Sequence, residues 1–576
     1  MYKYKSTIKK YWYCFVFGPI FMILEACGEF ILPFTSANII NVGVKNHDMN
    51  YILEQGGIMV LMAIAMLITG VLGAFFGIRG AAHIAMDVRR MCFKKIMDFS
   101  FENVDDFSSG SLITRVTNDV TQIQNFTQSL LRGVFRSPVM MTGAIVMSFI
   151  MSPKLALILC IVVPALALAI YILIRIASPR YVTMQQMIDS LNNNTSEVLT
   201  NEYVIKSFVR EDYECKRFSK VNDNLMKHCI RALRVMIFLQ PISTVAVSVA
   251  TVGVIYVGGK QIIMGEMEIG VLTAFITYLT QVLVSINFLA NIALQGTRAI
   301  ASDKRIDEVL KARITLTDDE AEHKDQTVTS GSIEFRGVSF KYFKNNSDYD
   351  IKNIDLKIES SMTVGVIGST GCGKTTLISM IPRLYDPDQG SVLVGGLDVR
   401  DYSLEHIRDA VSIVLQKNVL FSGTIADNLR WGNAEAKKED IELACRIACA
   451  DEFIGKLSDG YDSEVQHGGA NFSGGQRQRL CIARALVKKP KILILDDSTS
   501  AVDMATDAKI RRSLKTYMSD VTKIVIAQRI DSVMESDMII VMDEGAVVGT
   551  GTHEELLRNC DIYKEIYYSQ KDEEAV

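Results

Sequence analysis

Three short motifs in the C-terminal part of the chain carry residue types that handle phosphate and metal. Gly368-Ser369-Thr370-Gly371-Cys372-Gly373-Lys374-Thr375 fits the phosphate-binding loop pattern, with spaced glycines followed by a lysine and a hydroxyl. The apolar run Thr363 to Ile367 leads into it and a helical pattern, opening with Thr375 and Thr376, leads out, which is the context such a loop requires. Glycines there let backbone N–H groups converge on an anion, and the helix start adds positive potential. Lys374 would neutralise β and γ phosphates, and Thr375 would hold Mg2+ with Asp496, which ends the apolar strand Ile492 to Leu495. Asp497 follows Asp496 directly. Between these motifs lies Phe472-Ser473-Gly474-Gly475-Gln476, whose glycines allow close backbone approach to a phosphate.

The elements that must position these groups divide the chain in two. It has 576 residues, so several domains are expected. Hydrophobic residues make up 49% and the mean hydropathy is +0.20, so membrane spans must be sought. The apolar runs fall before about residue 300, and the remainder reads as a soluble α/β domain. A net charge of −4 gives no reason to expect nucleic acid. The 11 cysteines form no CxxC, and Cys445 and Cys449 lack a metal-ligand pattern around them, which reads as structural cysteines in a reducing compartment. Met1 to Tyr13 is basic and no small-residue cleavage site follows, so an uncleaved signal-anchor is expected.

A helix needs roughly 20 apolar residues to cross the hydrocarbon. Six segments qualify, at about 14–36, 57–79, 134–152, 155–177, 236–257 and 269–295. Lys and Arg crowd the N-terminus and the connections 80–133 and 178–235, while the alternate connections hold only Lys45, Lys154 and Lys260. By the positive-inside rule both termini are cytoplasmic, and the long basic connections are expected to continue as helices beyond the membrane. Glu25 and Glu29 share a helix face inside the first span. Carboxylates there are costly and face a cavity or a partner, so a cation-attracting patch and a packed, hydrogen-bonded pair are both open. Asn287, Asn291 and Gln295 form a polar stripe on the sixth span, either lining a pore or holding helices together.

The motif set behind six spans resembles the exporter-type ABC transporters, and the resemblance covers essentially the whole chain. It implies an α-helical membrane domain with long cytoplasmic extensions (1–300), a linker (301–330) and an α/β P-loop NTPase domain (331–576). In that family an aromatic at the place of Tyr342 stacks on adenine, and Gln416 in Val414-Leu415-Gln416-Lys417 matches the Q-loop, able to reach Mg2+ or the attacking water. Phe472 to Gln476 is similar to the signature motif, with Phe for Leu. Its Ser473 would bind the γ-phosphate of ATP held by an opposing subunit, so one nucleotide domain with six spans is half a transporter. Ser500-Ala501-Val502-Asp503 resembles the D-loop. The stretches Phe107 to Arg115 with Asn118-Asp119, and Glu197 through Val204 to Phe208, are similar to intracellular loops whose short coupling helices press on nucleotide domains.

Two residues depart from the family pattern at the reacting end. Asp497 stands where the catalytic Glu is implied, one methylene shorter. Gln528 stands where a switch His is implied and cannot carry its charge or shuttle a proton. Val465-Gln466-His467-Gly468-Gly469 also departs from the usual Gly-Glu-Arg-Gly. The retained loop, Tyr342 and Asp496 imply ATP and Mg2+ binding with impaired hydrolysis. The resemblance therefore implies the degenerate-site half of a bacterial heterodimeric multidrug exporter in the inner membrane, paired with a half-transporter that supplies Glu and His. A substrate of hydrophobic or cationic character would meet Glu25, Glu29, Asn287 and Asn291. A homodimeric lipid or peptide exporter with slow turnover, and a regulatory ATP-binding subunit, are the alternatives.

Overall fold

The computed structural model describes residues 2–574, except Glu320, Phe343, Asn345, Asn346 and residues 498–501, and except the side chains of Tyr2, Ile174, Ser178, Met236, Leu239, Leu294 and residues 572–574. The chain forms two compact units, one of residues 1–97 and 110–312, the other of residues 98–109 and 313–576.

The first unit is helical. After a short helix, Tyr2–Lys10, six helices are long and apolar enough to cross a membrane: Trp12–Val44, Met49–Met97, Ser109–Met151, Pro153–Thr200, Glu211–Ile263 and Ile269–Lys311. Each contains one of the six apolar segments read from the sequence. The first has 33 residues, and at about 1.5 Å per residue the 43 to 53 residues of the other five give about 65 to 80 Å, far more than the roughly 30 Å hydrocarbon. The long connections are therefore helical extensions, as their sequence suggests. The sixth helix runs unbroken to Lys311, so the stretch from Ala301 that reads as linker is still helix. Its polarity is that of a solvated helix face, not of a break.

Pro33 lies inside the first spanning helix and has no N–H to give the Glu29 carbonyl. Gln281 on the sixth helix supplies the missing donor, Nε2 to Glu29 O at 2.8 Å, and Tyr278 Oη donates to the next carbonyl, Phe30 O, at 2.7 Å. In a bilayer such a repair must come from protein, because water is absent. Tyr278 is fully buried, and with Phe275, Leu155, Leu159 and Val254 it forms the apolar centre of this unit. Along the extensions, buried Asp119 accepts from Ser302 Oγ (2.8 Å) and from Arg305 Nε (2.8 Å), and Arg115 reaches Glu308 (3.1 Å). These bonds bind the third helix to the sixth. The helix Glu202–Ser207, between the fourth and fifth, buries none of its residues.

The second unit has two main sheets, besides a short antiparallel pair of β7 (Gly423–Thr424) with β8 (Glu464–Val465). An antiparallel sheet of order β2-β1-β4-β5 comprises β1 (Ile333–Phe340), β2 (Ile351–Ile358), β4 (Gln389–Val394) and β5 (Leu397–Asp398). The six-stranded sheet has order β12-β11-β3-β10-β9-β6, from β3 (Thr363–Gly368), β6 (Val411–Val414), β9 (Ile492–Asp496), β10 (Thr522–Ile526), β11 (Met538–Asp543) and β12 (Ala546–Gly551). All of its pairs are parallel except β11 with the edge strand β12. Strand β9 is buried along its whole length, which explains its unbroken apolar run. Central parallel strands deliver their C-terminal ends to one crevice, where α/β sheets bind ligands.

The helix Phe101–Phe107 belongs to this second unit. Ser100 and Asn103 form its capping box. Ser100 Oγ lies 2.6 Å from Thr315 Oγ1, and Asn103 Nδ2 donates to Arg313 O at 3.1 Å.

Candidate functional site

The phosphate loop leaves β3 at Gly368 and enters the helix Lys374–Ser379. Gly368 (φ +156) has no room for a side chain, since a Cβ would sit 2.1 Å from the Met542 carbonyl. Gly373 (φ +96) turns the backbone left-handed just before Lys374. Lys374 Nζ donates to the Gly368 and Ser369 carbonyls, each at 2.8 Å, which holds the ammonium over the loop. The Cys372 side chain is buried, 3.7 Å from that ammonium, and Gly371 faces open space. Thr370 is exposed on the same loop.

Thr375 Oγ1 donates to Asp496 Oδ2 at 2.9 Å, so the helix start and the end of β9 meet. Burial pushes the Asp496 carboxyl up, with the Thr375 bond opposing. Thr376 Oγ1 lies 3.1 Å from Tyr342 Oη. Tyr342 stands edge-on to Phe340 and to Tyr385, with centroids 5.1 and 5.3 Å apart, and is 37% exposed. Tyr385 Oη in turn donates to Asp105 Oδ2 at 2.8 Å, on the helix Phe101–Phe107. Burial, reinforced by that carboxylate, keeps the Tyr385 phenol protonated.

Asp497 sits in the left-handed region (φ +46) just beyond β9. Its Oδ2 accepts from Gln528 Nε2 at 2.9 Å and from Gln416 Nε2 at 3.4 Å. Burial pushes this carboxyl up, and the two amides and the Lys374 charge oppose it. Asp497, Gln528, Gln416, Lys374, Thr375 and Asp496 therefore form one cluster at the C-terminal ends of the central strands. Sequence alone placed these residues up to about 150 positions apart.

Ser473 caps the helix Gly474–Val487, and Gln476 closes the box: Ser473 N–H donates to Gln476 Oε1 at 2.9 Å and Gln476 N–H to Ser473 Oγ at 3.3 Å. Phe472, in place of Leu, is buried against Phe453. Asp503 caps the helix Met504–Tyr517, while Ser500 and Ala501 lie outside the described residues.

Within the membrane unit the acid pair is not a bare anionic patch. Arg136 lies 2.5 Å from Glu29 Oε1 and 3.5 Å from Glu25 Oε2. Sequence reading missed this guanidinium, although a lone Arg inside an apolar span is itself a signal. Glu29, Arg136 and Gln281 line a cavity of about 520 Å3. Glu25, Arg132, Arg136, Asn291 and Gln295 line another of about 700 Å3. Asn287 is absent from both linings, and its carbonyl accepts from Asn291 Nδ2. Tyr385, Asp105 and Gln570 were also missed. Each acts through a contact between distant parts of the chain that no local motif encodes.

A helical unit with six potential spans, joined to a doubly wound domain whose phosphate loop meets paired carboxylates, defines a membrane protein driven by nucleotide. Residues 15–286 match the family model for the ABC transporter transmembrane region, and residues 351–500 match the family model described as ABC transporter. The chain is 35% identical over 570 residues to the uncharacterized ABC transporter ATP-binding protein YfiB of Bacillus subtilis, covering 99% of this chain and 98% of the relative. It is 31% identical to the ATP-dependent lipid A-core flippase of Desulfotalea psychrophila, covering 89% and 90% of the two chains. A bacterial Atm1-family ABC exporter with ATP bound shares the fold, with TM-score 0.81 at 23% identity over 98% of this chain and 99% of that one. The chain belongs to the ABC transporters. It is an exporter-type half-transporter that binds ATP, uses it to move solute across a membrane, and requires a second half.

Proposed function

We propose that this chain is the half of a bacterial heterodimeric exporter whose own site holds ATP and hydrolyses it slowly. The observation that carries this reading is the Asp497 carboxylate, one methylene short and tied through Oδ2 to the neutral amides of Gln528 and Gln416. A general base needs reach and a partner that can take up charge. A displacement of about 1 Å can cost roughly 10²-fold. ATP is held by adenine stacking on Tyr342, by the loop from Gly368 to Gly373 with Lys374, and by Thr376 behind Tyr342. Thr375 and Asp496 are hard oxygen donors brought within 2.9 Å of each other, which suits Mg2+, with Gln416 as a further oxygen donor. That ion would neutralise phosphate charge. Ser473, Gly474, Gly475 and Gln476 serve the ATP of the partner, whose Glu and His do the hydrolysis.

The membrane is the bacterial inner membrane, with both termini and the nucleotide domain cytoplasmic, as the basic connections suggest. Cargo is hydrophobic or amphipathic, of the multidrug type, and meets the wall formed by Glu25, Glu29, Arg136 and Asn291. The lipid A-core flippase among the relatives favours a second reading, a homodimeric lipid exporter. One experiment separates them: Mg-ATP hydrolysis by the purified chain alone and with a half-transporter that carries Glu and His. Slow turnover alone, and brisk turnover that dies with the partner's Glu, supports the heterodimer. Brisk turnover alone, abolished by Asp497→Asn, overturns it in favour of the homodimer.

A further inference from the structure

One side chain of the helix Asp561–Glu574 hydrogen-bonds backbone at the reacting end of the site. Gln570 Nε2 donates to the Gln528 carbonyl at 2.8 Å, and Gln570 Oε1 accepts from the Ile530 N–H at 2.8 Å. The carboxamide thus brackets the backbone on both sides of Arg529, as a neighbouring strand would. Gln528 is the residue whose own amide holds Asp497 Oδ2 at 2.9 Å. The bracketed loop leaves the sheet beside the strand that feeds the phosphate loop, since Ala527 N–H donates to Val366 O. The helix does not need Gln570 to dock. Tyr563 is fully buried in the cluster of Ile530, Val533, Ile539 and Val541, its hydroxyl lies 2.7 Å from His553 Nδ1, and Ile562 and Ile566 pack on the same cluster.

We propose that Gln570 is a positioning residue for the loop 528–530. By fixing the backbone of Gln528 it sets that residue's amide on Asp497, and through it the rate at which the site lets ATP go. The proposal rests on the reading above that this site retains ATP. A side chain that made only packing contacts would not explain two well-formed bonds to backbone groups flanking a single residue. With the bracket released, the Gln528 amide loses its fixed origin while Asp497 stays where β9 puts it.

The test uses the full chain assembled with its partner half, Mg2+, and a fluorescent trinitrophenyl derivative of ATP chased by excess ATP. The partner's own site is disabled for binding by substitution of its phosphate-loop lysine. Gln570→Leu is expected to speed release roughly three- to tenfold in a protein that still melts cooperatively. In a Gln528→Leu background the same substitution is expected to do nothing, because the residue it positions is gone. Gln570→Glu keeps the acceptor for Ile530 but, ionised at pH 8, has no proton for the Gln528 carbonyl. It is expected to release fast as well, and it decides the matter if the Leu variant does not fold. Release at the wild-type rate in the variants, or an equal acceleration with and without Gln528, overturns the proposal and leaves the ATP-retention reading intact. Failure of the unmodified pair to hold the analogue overturns both.

Discussion

Asp497 can be repaired, and the repair measures what its environment withholds. Asp497→Glu alone restores reach but leaves the carboxylate facing a neutral amide from Gln528. Gln528→His alone supplies charge to a carboxylate that falls short. The two act as a unit, so the double variant is expected to gain far more than the product of the singles, up to about 10²-fold in turnover. ATPase assays with the partner's Glu disabled check this. Asp496 gives a second prediction, with a definite sign. Its folded pKa lies above the ordinary Asp value of 3.8, because burial disfavours the charge. The folded state therefore binds the proton more tightly, and its contribution to stability is present below 3.8 and lost as pH rises through the shifted pKa. Metal binding runs the other way, since only the ionised oxygen ligates well. Mg-dependent nucleotide affinity is thus expected to fall on acidification through that raised range. Asp496→Asn should weaken the affinity and flatten its pH dependence, as fluorescence titration across pH would show.

At the scale of elements, the membrane helices and the nucleotide fold were legible because each is written locally. Twenty apolar residues make a span, and an apolar run ending in carboxylates makes β9. What sequence did not reveal are the places where one element completes another. Pro33 is plain in the sequence, but its orphaned Glu29 carbonyl finds Gln281 some 250 residues away. Gln281→Leu leaves that carbonyl bare and is expected to cost about 1–3 kcal/mol. Arg136→Met strands two half-buried carboxylates and is expected to cost more, up to about 3 kcal/mol, the lower end for breaking a buried ion pair. Melting in detergent should rank them in that order, with Glu25→Gln/Glu29→Gln restoring most of the loss in the Arg136→Met background. The helix Phe101–Phe107 is a similar case. Its capping residues Ser100 and Asn103 can be read from sequence, but its place in the nucleotide unit depends on Tyr385 and Thr315. Tyr385→Phe keeps the ring against Tyr342 and removes only the bond to Asp105. Faster hydrogen exchange confined to residues 101–107, with ATP affinity little changed, is the expected result.

For the whole molecule the question is what a half-transporter leaves for its partner. The tip at 199–209 carries Tyr203 at 91% exposure, Phe208 at 73% and Val209 at 81%, and its helix buries nothing. An apolar tip of this kind marks a protein contact rather than a solvated turn. Val209 is held at φ +51, costly for a β-branched residue, where the chain ends the helix Glu202–Ser207 and Arg210 N–H donates to the Ile205 carbonyl at 2.9 Å. Its resemblance to a coupling loop makes a nucleotide domain the expected partner, and a domain of the other half is the case that substitution at the tip tests. The surface is apolar, so its loss should act on assembly and coupling, while the ATP cluster lies in the other unit and is built without it. Tyr203→Glu with Phe208→Glu is therefore expected to leave ATP binding by the lone chain unchanged. It should also reduce transport by the pair at least tenfold, while the partner's site still hydrolyses ATP. Transport and ATPase measured on the same proteoliposomes decide it. A parallel fall in both, with ATP binding also lost, would mean that the tip supports the fold of this chain rather than its coupling to another.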